Sequence, residues 1–242
     1  PEPSPTDDRF RTSVTGLVTY AGCGLRYRFE HVDHLPRRPS AAARRGIDLH
    51  RRIELHHRGT VAFDEAASGF YDAVGDDADE RTESAYDRFA ASRFADDRPI
   101  LVETPFELAV GDGAVSGRID AVYEPDDGHW EIVDFKSGRH RDDQSLMVQL
   151  EAYAVAAADA GLDGRAAPVQ TTVTFAYFGG GELVEVSEHV DDEWMENARH
   201  HLAELVTGAA SGPYEASPGG RCRGCDFVRF CETGRTWLEE SS

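Results

Sequence analysis

Lysine is almost absent from these 242 residues: one, at position 136, stands against twenty-four arginines. Basic charge is short altogether, with 25 basic against 45 acidic residues and a net charge of −20. An acidic excess repels polyanions, but acid spread along the whole chain is also what a very salty cytoplasm selects. The spread here is even, which favours the salt-adapted reading. Net charge then says little about the ligand, and local charge must be read instead. Long apolar runs are missing too. No stretch approaches a membrane span, and none has the basic start and apolar middle of a secretory signal. A soluble, cytoplasmic protein is expected. A glycine-rich phosphate loop before Lys136-Ser137 is also lacking, so the segment does not support an ATPase.

The length suits one large domain, or a domain with an insertion. The start, PEPSPTDD, is proline-rich and acidic and reads as a linker over 1–11, so the chain is expected to be cut from something longer. SVTGLVTYAG predicts a short helix capped by Thr12 or Ser13, and a second helix is expected from Ala41 to His57. Residues 60–98 read as an acidic helical insertion, including FDEAASGFYDAV over 63–74. Period-two segments follow, ILVETPFELAV, AVSGRIDAVYE and HWEIVDFKSG, separated by GDG and PDDG turns. Then come a helix around MVQLEAYAVAAADAG, the strands VQTTVTFAYF and ELVEVSEHV, and the helix DDEWMENARHHLAELVTG. The predicted fold is α/β, a mixed central sheet flanked by helices.

In a strand, residues i and i+2 share a face, so Asp134 and Lys136 project together. If the two preceding strands pair through the turn at Pro125–Gly128, Asp120 converges on Asp134. Two carboxylates that close repel unless one protonates or a cation lies between them. Hard oxygen donors favour Mg²⁺ or Mn²⁺. Lysine suits such a place, because a compact ammonium on a flexible stem approaches a water or phosphate oxygen as a point charge. Alone, Asp-x-Lys is no more than a strand-end salt bridge. Its company gives it weight. Gln149 and Tyr153 share one face of the following helix. His50 lies among Arg44, Arg45, Arg51 and Arg52, within a stretch, His31 to Thr60, that has seven arginines against three acids. That local sign opposes the sign of the chain and points to a phosphate-binding surface.

Cysteine occurs only at Cys23 and, near the other end, at Cys222, Cys225 and Cys231. The C-x2-C-x5-C spacing favours a metal centre over disulfides. Four thiolates hold either one zinc ion or one iron–sulfur cluster, and spacing alone does not separate them. Either centre would join the two ends of the chain.

Taken in order, these residues resemble the RecB-type nucleases of the PD-(D/E)xK superfamily, in the version with a four-cysteine iron–sulfur staple. The resemblance runs through Cys23, Gly46 with His50, Asp120 in GRID, Asp134-Phe135-Lys136, Gln149 with Tyr153, and the cysteine triplet, over residues 12–232. Within that span 221–232 is the cysteine segment, and 233–242 is left as a tail. TSVTGLVTYAGC, PFELAV and VDFKSG are similar to the C-terminal nuclease domains of UvrD/Rep-like and AddB-like helicase–nucleases. Gly24 stands where that family usually has proline after the first cysteine.

The resemblance implies a Mg²⁺- or Mn²⁺-dependent deoxyribonuclease of DNA repair, acting on DNA ends or single strands, alone or with a helicase motor. It implies His50, Asp120, Asp134 and the carbonyl of Phe135 as metal ligands. Lys136 would orient the attacking water, with Gln149 and Tyr153 positioning the lysine or the DNA. Arg44, Arg45, Arg51 and Arg52 would bind DNA phosphates, and Cys23, Cys222, Cys225 and Cys231 would hold a [4Fe–4S] cluster, with Zn²⁺ as the alternative. The rival readings are a non-catalytic DNA-binding scaffold and a zinc-ribbon interaction module.

Overall fold

The computed structural model of the protein describes residues 9–37, 40–59 and 77–241. Strand β1 (Phe10–Ser13) leads into α1 (Val14–Gly22), α2 (Gly24–Tyr27) and a π-helical turn, Arg28–Val32. Helices α3 (Ala41–His57), α4 (Asp77–Ala90) and α5 (Arg93–Asp96) precede β2 (Leu101–Val110), β3 (Gly113–Asp126) and β4 (His129–Lys136). Helix α6 (Met147–Ala160) is followed by β5 (Gln170–Tyr177), β6 (Val184–Val190), α7 (Asp192–Ser211) and α8 (Glu232–Glu240). Residues 60–76, with the helix predicted over 63–74, lie outside the described residues, as do 1–8 of the expected linker. Phe10 and Arg11 of that linker already belong to β1, a strand too short for its pattern to show. Most of the expected tail is α8.

The six strands form one mixed sheet in the order β1-β3-β4-β5-β6, with β2 also paired to β3. Strands β2, β3 and β4 are successive antiparallel neighbours. Gly111 (φ +54°) and Gly128 (φ +74°) make the two tight turns between them, adopting the left-handed backbone that side chains disfavour. Strands β4 and β5 run parallel, and a parallel pair needs a crossover, which α6 supplies. Ser13, Ser40 and Asp191 each accept a hydrogen bond from a backbone N–H in the first turn of α1, α3 and α7, which starts these helices where the sequence predicts.

Strand β4 is buried along nearly its whole length because helices cover both faces of the sheet. Trp130 and Ile132 pack with Val148, Tyr153 and Leu202 of α6 and α7. Val133 and Phe135 pack on the other face with Leu49, Ile53, Phe89 and Phe94 of α3 to α5. Phe89, Phe94, Phe135 and Phe178 interlock there at ring separations of 5.6 to 6.5 Å. Each fully buried ring is worth roughly 1.5–3 kcal/mol, so this face anchors α3, and with it His50, to the sheet.

His57 closes the same layer. Tyr123 donates its hydroxyl hydrogen to the carbonyl of Phe94 (2.8 Å) and meets His57 Nε2 at 3.2 Å. Burial, reinforced by the nearby His56, pulls the His57 pKa down to about 4 from 6.5. The folded form thus binds its proton less readily than the unfolded form. The stabilising contribution is complete above pH 6.5 and is lost as pH falls from there toward 4. The melting temperature should drop across this window, and the drop should shrink in His57→Gln; an identical pH slope in that variant would exclude His57 as its source.

Candidate active site

Strand register decides what meets at the site. Val102 faces Ala121 and Thr104 faces Ile119, so Glu103 of β2 stands opposite Asp120 of β3. Ala121 faces Val133, so the next position along sets Asp120 opposite Asp134 of β4. Three carboxylates therefore stand side by side on adjacent strands. Like charges in that position are destabilising, and buried ones cost several kcal/mol each if left unpaired. Glu103 also has a backbone φ of +49°, a strained conformation for a residue with a side chain.

Cations answer the carboxylates from two directions. His50, halfway along α3, brings Nδ1 to 3.3 Å from Asp120 Oδ1 and 3.9 Å from Glu103 Oε1. Burial lowers its pKa, but hydrogen bonds to Asp120 and Glu103 and the charge of Asp134 outweigh that and hold it up at about 10. Ligand atoms of His50, Glu103 and Asp120 all lie within 4.8 Å of one another, so one divalent ion could take the place of that proton. Asp120 is aimed by the backbone N–H of Phe135, which donates to its Oδ2 at 2.8 Å.

Lys136 comes from the other side. Its Nζ donates to Gln149 Oε1 (2.5 Å) and lies 2.7 Å from Asp134 Oδ2. That ion pair is the one partner of this buried oxygen among the described residues. Tyr153 donates its hydroxyl to Asp134 Oδ1 at 3.4 Å. Burial, opposed by Lys136 and helped by Asp120, raises the Asp134 pKa. A buried carboxylate whose Oδ2 is met only by the Lys136 ion pair, beside the His50–Glu103–Asp120 set, fits a hard divalent cation.

The site opens into a cleft of about 630 Å³ lined by Asp120, Asp134, Lys136, Gln149 and Tyr153. The arginines on its wall are Arg118, Arg139 and Arg141. Of α3, Ala42 and His50 reach the cleft, whereas Arg44, Arg45, Arg51 and Arg52 do not line it. Arg52 is bound to Glu83 (2.8 Å) and lies over the Tyr86 ring. Sequence reasoning missed Glu103, Arg139 and Arg141. The strand alternation of LVETPFELAV was visible, but nothing in it sets Glu103 apart before its partner strand is known.

Cys23, Cys222, Cys225 and Cys231 line a second, small cavity with Leu25, Phe29, Phe227 and Val228. None is in a disulfide. Among the described residues, His50, Glu103 and Asp120 are the one candidate metal-holding set whose ligand atoms all lie within 4.8 Å of one another.

Fold and site together are those of a metal-binding nuclease-type domain. The chain matches the family model of the PD-(D/E)XK nuclease superfamily over residues 11–232, and it belongs to that superfamily. The fold is similar to the crystal structure of a candidate exonuclease from Eubacterium rectale, with a TM-score of 0.59 and 13% identity, covering 93% of this chain and 89% of that one. A second solved structure, SSO0001, is more distant, with a TM-score of 0.46 and 16% identity over 93% of this chain and 86% of that one. No curated protein matches the sequence. No helix among the described residues is long and apolar enough to cross a membrane.

Proposed function

We propose that the protein is a RecB-type, Mg²⁺- or Mn²⁺-dependent deoxyribonuclease that digests DNA ends or single strands, as a free enzyme or as the nuclease module of a helicase–nuclease. One observation carries this reading: three carboxylates aligned across β2, β3 and β4 meet an imidazole, and two of them, Asp120 and Asp134, open with it and the chain's single lysine into one cleft. His50, Glu103, Asp120, Asp134 and the carbonyl of Phe135 would hold the ion. When bound, it lowers the pKa of a water and neutralises phosphate charge.

The remaining chemistry belongs to the side chains. Lys136 orients the attacking water and offsets the charge that builds on the phosphorus oxygens. Gln149, through its hydrogen bond, keeps the ammonium at the cleft floor, and Tyr153 fixes the carboxylate plane of Asp134. Arg44, Arg45, Arg51 and Arg52 on α3 would supply an outer phosphate-binding surface without base readout.

We read the cysteine cavity as the seat of a [4Fe–4S] cluster rather than zinc. Thiols from both ends of the chain line this one cavity, and Zn²⁺ is the alternative occupant.

The reading is tested with end-labelled single- and double-stranded DNA, Mg²⁺ or Mn²⁺, and chelator as the control, at high and low salt. Shortening of the label only with metal is expected. Intact DNA under every metal and salt condition would overturn it.

A further inference from the structure

The segment between β4 and α6, residues 138–143, is a strap held at three points. At its start, Gly138 accepts a hydrogen bond from Gly179 N–H at 3.1 Å. A Cβ on Gly179 would stand 2.3 Å from the carbonyl oxygen of Ser137, so only glycine lets the chain after β5 come this close. In the middle, His140 packs edge-on against Tyr177, with ring centroids 5.0 Å apart. At its far end, Asp143 accepts from Ser145 N–H (3.2 Å) and Ser145 Oγ–H (2.7 Å), and also from Arg221 at 3.2 Å.

Arg139 and Arg141 flank the anchored histidine, and both line the cleft that holds Asp134 and Lys136. Both are exposed, and neither pairs with a carboxylate among the described residues, although the chain has 45 acids and Asp142 and Asp143 are adjacent. Other arginines near the site are engaged: Arg118 lies 3.5 Å from Glu103, and Arg52 is bound to Glu83. Besides His50, the residues that β1, α1 and α3 contribute to the cleft are Ser13, Val14, Thr15 and Ala42, all uncharged. Cationic contact is therefore concentrated on the strap, where it can serve one strand. Guanidinium matches phosphate oxygens with a planar fork, and a strap already ordered gives up little further freedom on binding.

Resting on the DNA-cleaving reading above, we propose that Arg139 and Arg141 clamp two neighbouring phosphates of a single DNA strand beside the carboxylate site. The surface foreseen from local charge was α3; the clamp lies on the loop after β4.

The test measures affinity for a labelled single-stranded oligonucleotide, with Mg²⁺, across a sodium chloride series. The background is Lys136→Ala, in which cleavage is slowed enough for binding to be read before the DNA is cut. Each phosphate contact contributes about 0.7 to the slope of log affinity against log salt for a single strand. Arg139→Ala and Arg141→Ala should each lower the slope by about that amount and the double variant by about 1.4, whereas Arg139→Lys/Arg141→Lys should restore most of it. Arg165→Ala, an exposed arginine in a distant turn, should leave the slope unchanged. A double variant with the background's slope would overturn the clamp alone, as would an equal drop in Arg165→Ala. A background with no salt-dependent DNA binding would overturn the clamp and the DNA reading together.

Discussion

Replacing Lys136 by alanine should slow DNA cleavage by roughly 10²- to 10³-fold, the loss that follows removal of one preorganised donor to a developing charge. DNA affinity should be largely retained, because phosphate contacts are spread over arginines and Lys136 is mostly buried at the cleft floor, its side chain 20% exposed. Lys136→Arg should not rescue. The ammonium sits between Gln149 Oε1 at 2.5 Å and Asp134 Oδ2 at 2.7 Å, and a planar guanidinium cannot fill that gap without displacing Gln149 or the aspartate. Geometry thus gives a reason for one lysine in a chain that otherwise uses arginine: the place is shaped for a point charge. Single-turnover cleavage and oligonucleotide binding, measured on the same preparations, separate the two effects. An alanine variant that cleaves at the parent rate would remove Lys136 from the mechanism and leave it as a strand-end ion pair.

The second large effect is expected from the cysteines. On the proposed cluster reading, Cys231→Ser should release iron and sulfide, lose the brown colour such a cluster gives, and loosen the C-terminal segment. Residues 220–230 contain only two short 3₁₀ turns, and Phe227 is their one buried large side chain. Little apolar burial is available there to offset chain entropy. Structural metal centres contribute about 10–16 kcal/mol in small zinc peptides, comparable with the whole stability of a domain. The damage should travel. Arg221, next to Cys222, reaches Asp143 at the end of the strap, and its guanidinium lies against Gly22 at the end of α1. Limited proteolysis should cut near residues 220–230 in Cys231→Ser and not in the parent. A serine variant that keeps its iron and its protease resistance would refute the cluster assignment, and colourless parent protein containing zinc would replace it.

Much of this molecule could be read before it was seen. Alternating apolar residues with glycine turns at Gly111 and Gly128 marked β2, β3 and β4, because a half-dozen residues with period two have few other ways to bury one face. Cap residues marked the starts of α1 and α3. The chemistry of Asp134 and Lys136 was legible because i and i+2 on a strand share a face regardless of what surrounds the strand. Their relation to Asp120 followed from one short turn.

Glu103 was not legible. Its position opposite Asp120 depends on the β2–β3 register, and one glutamate in an acidic chain draws no notice. Local charge drew attention to α3, yet whether a guanidinium is free or consumed depends on neighbours distant in sequence. Glu83 and Tyr86, thirty residues on, take up Arg52, while Arg139 and Arg141 stay available because His140 and Asp143 fasten the strap between them.

By itself, then, the sequence determined the chemical kinds present, the strands that carry them and the pairing of residues close along the chain. Those follow from short-range rules of backbone geometry and side-chain chemistry. Only the tertiary structure decided which carboxylate completes the row across β2, β3 and β4, how α3 delivers His50 to it, and which arginines face the cleft. Those outcomes are set by sheet register and by packing on both faces, which join Glu103 to Asp120 across one hairpin and His50 to both from more than fifty positions away, and no local pattern records them.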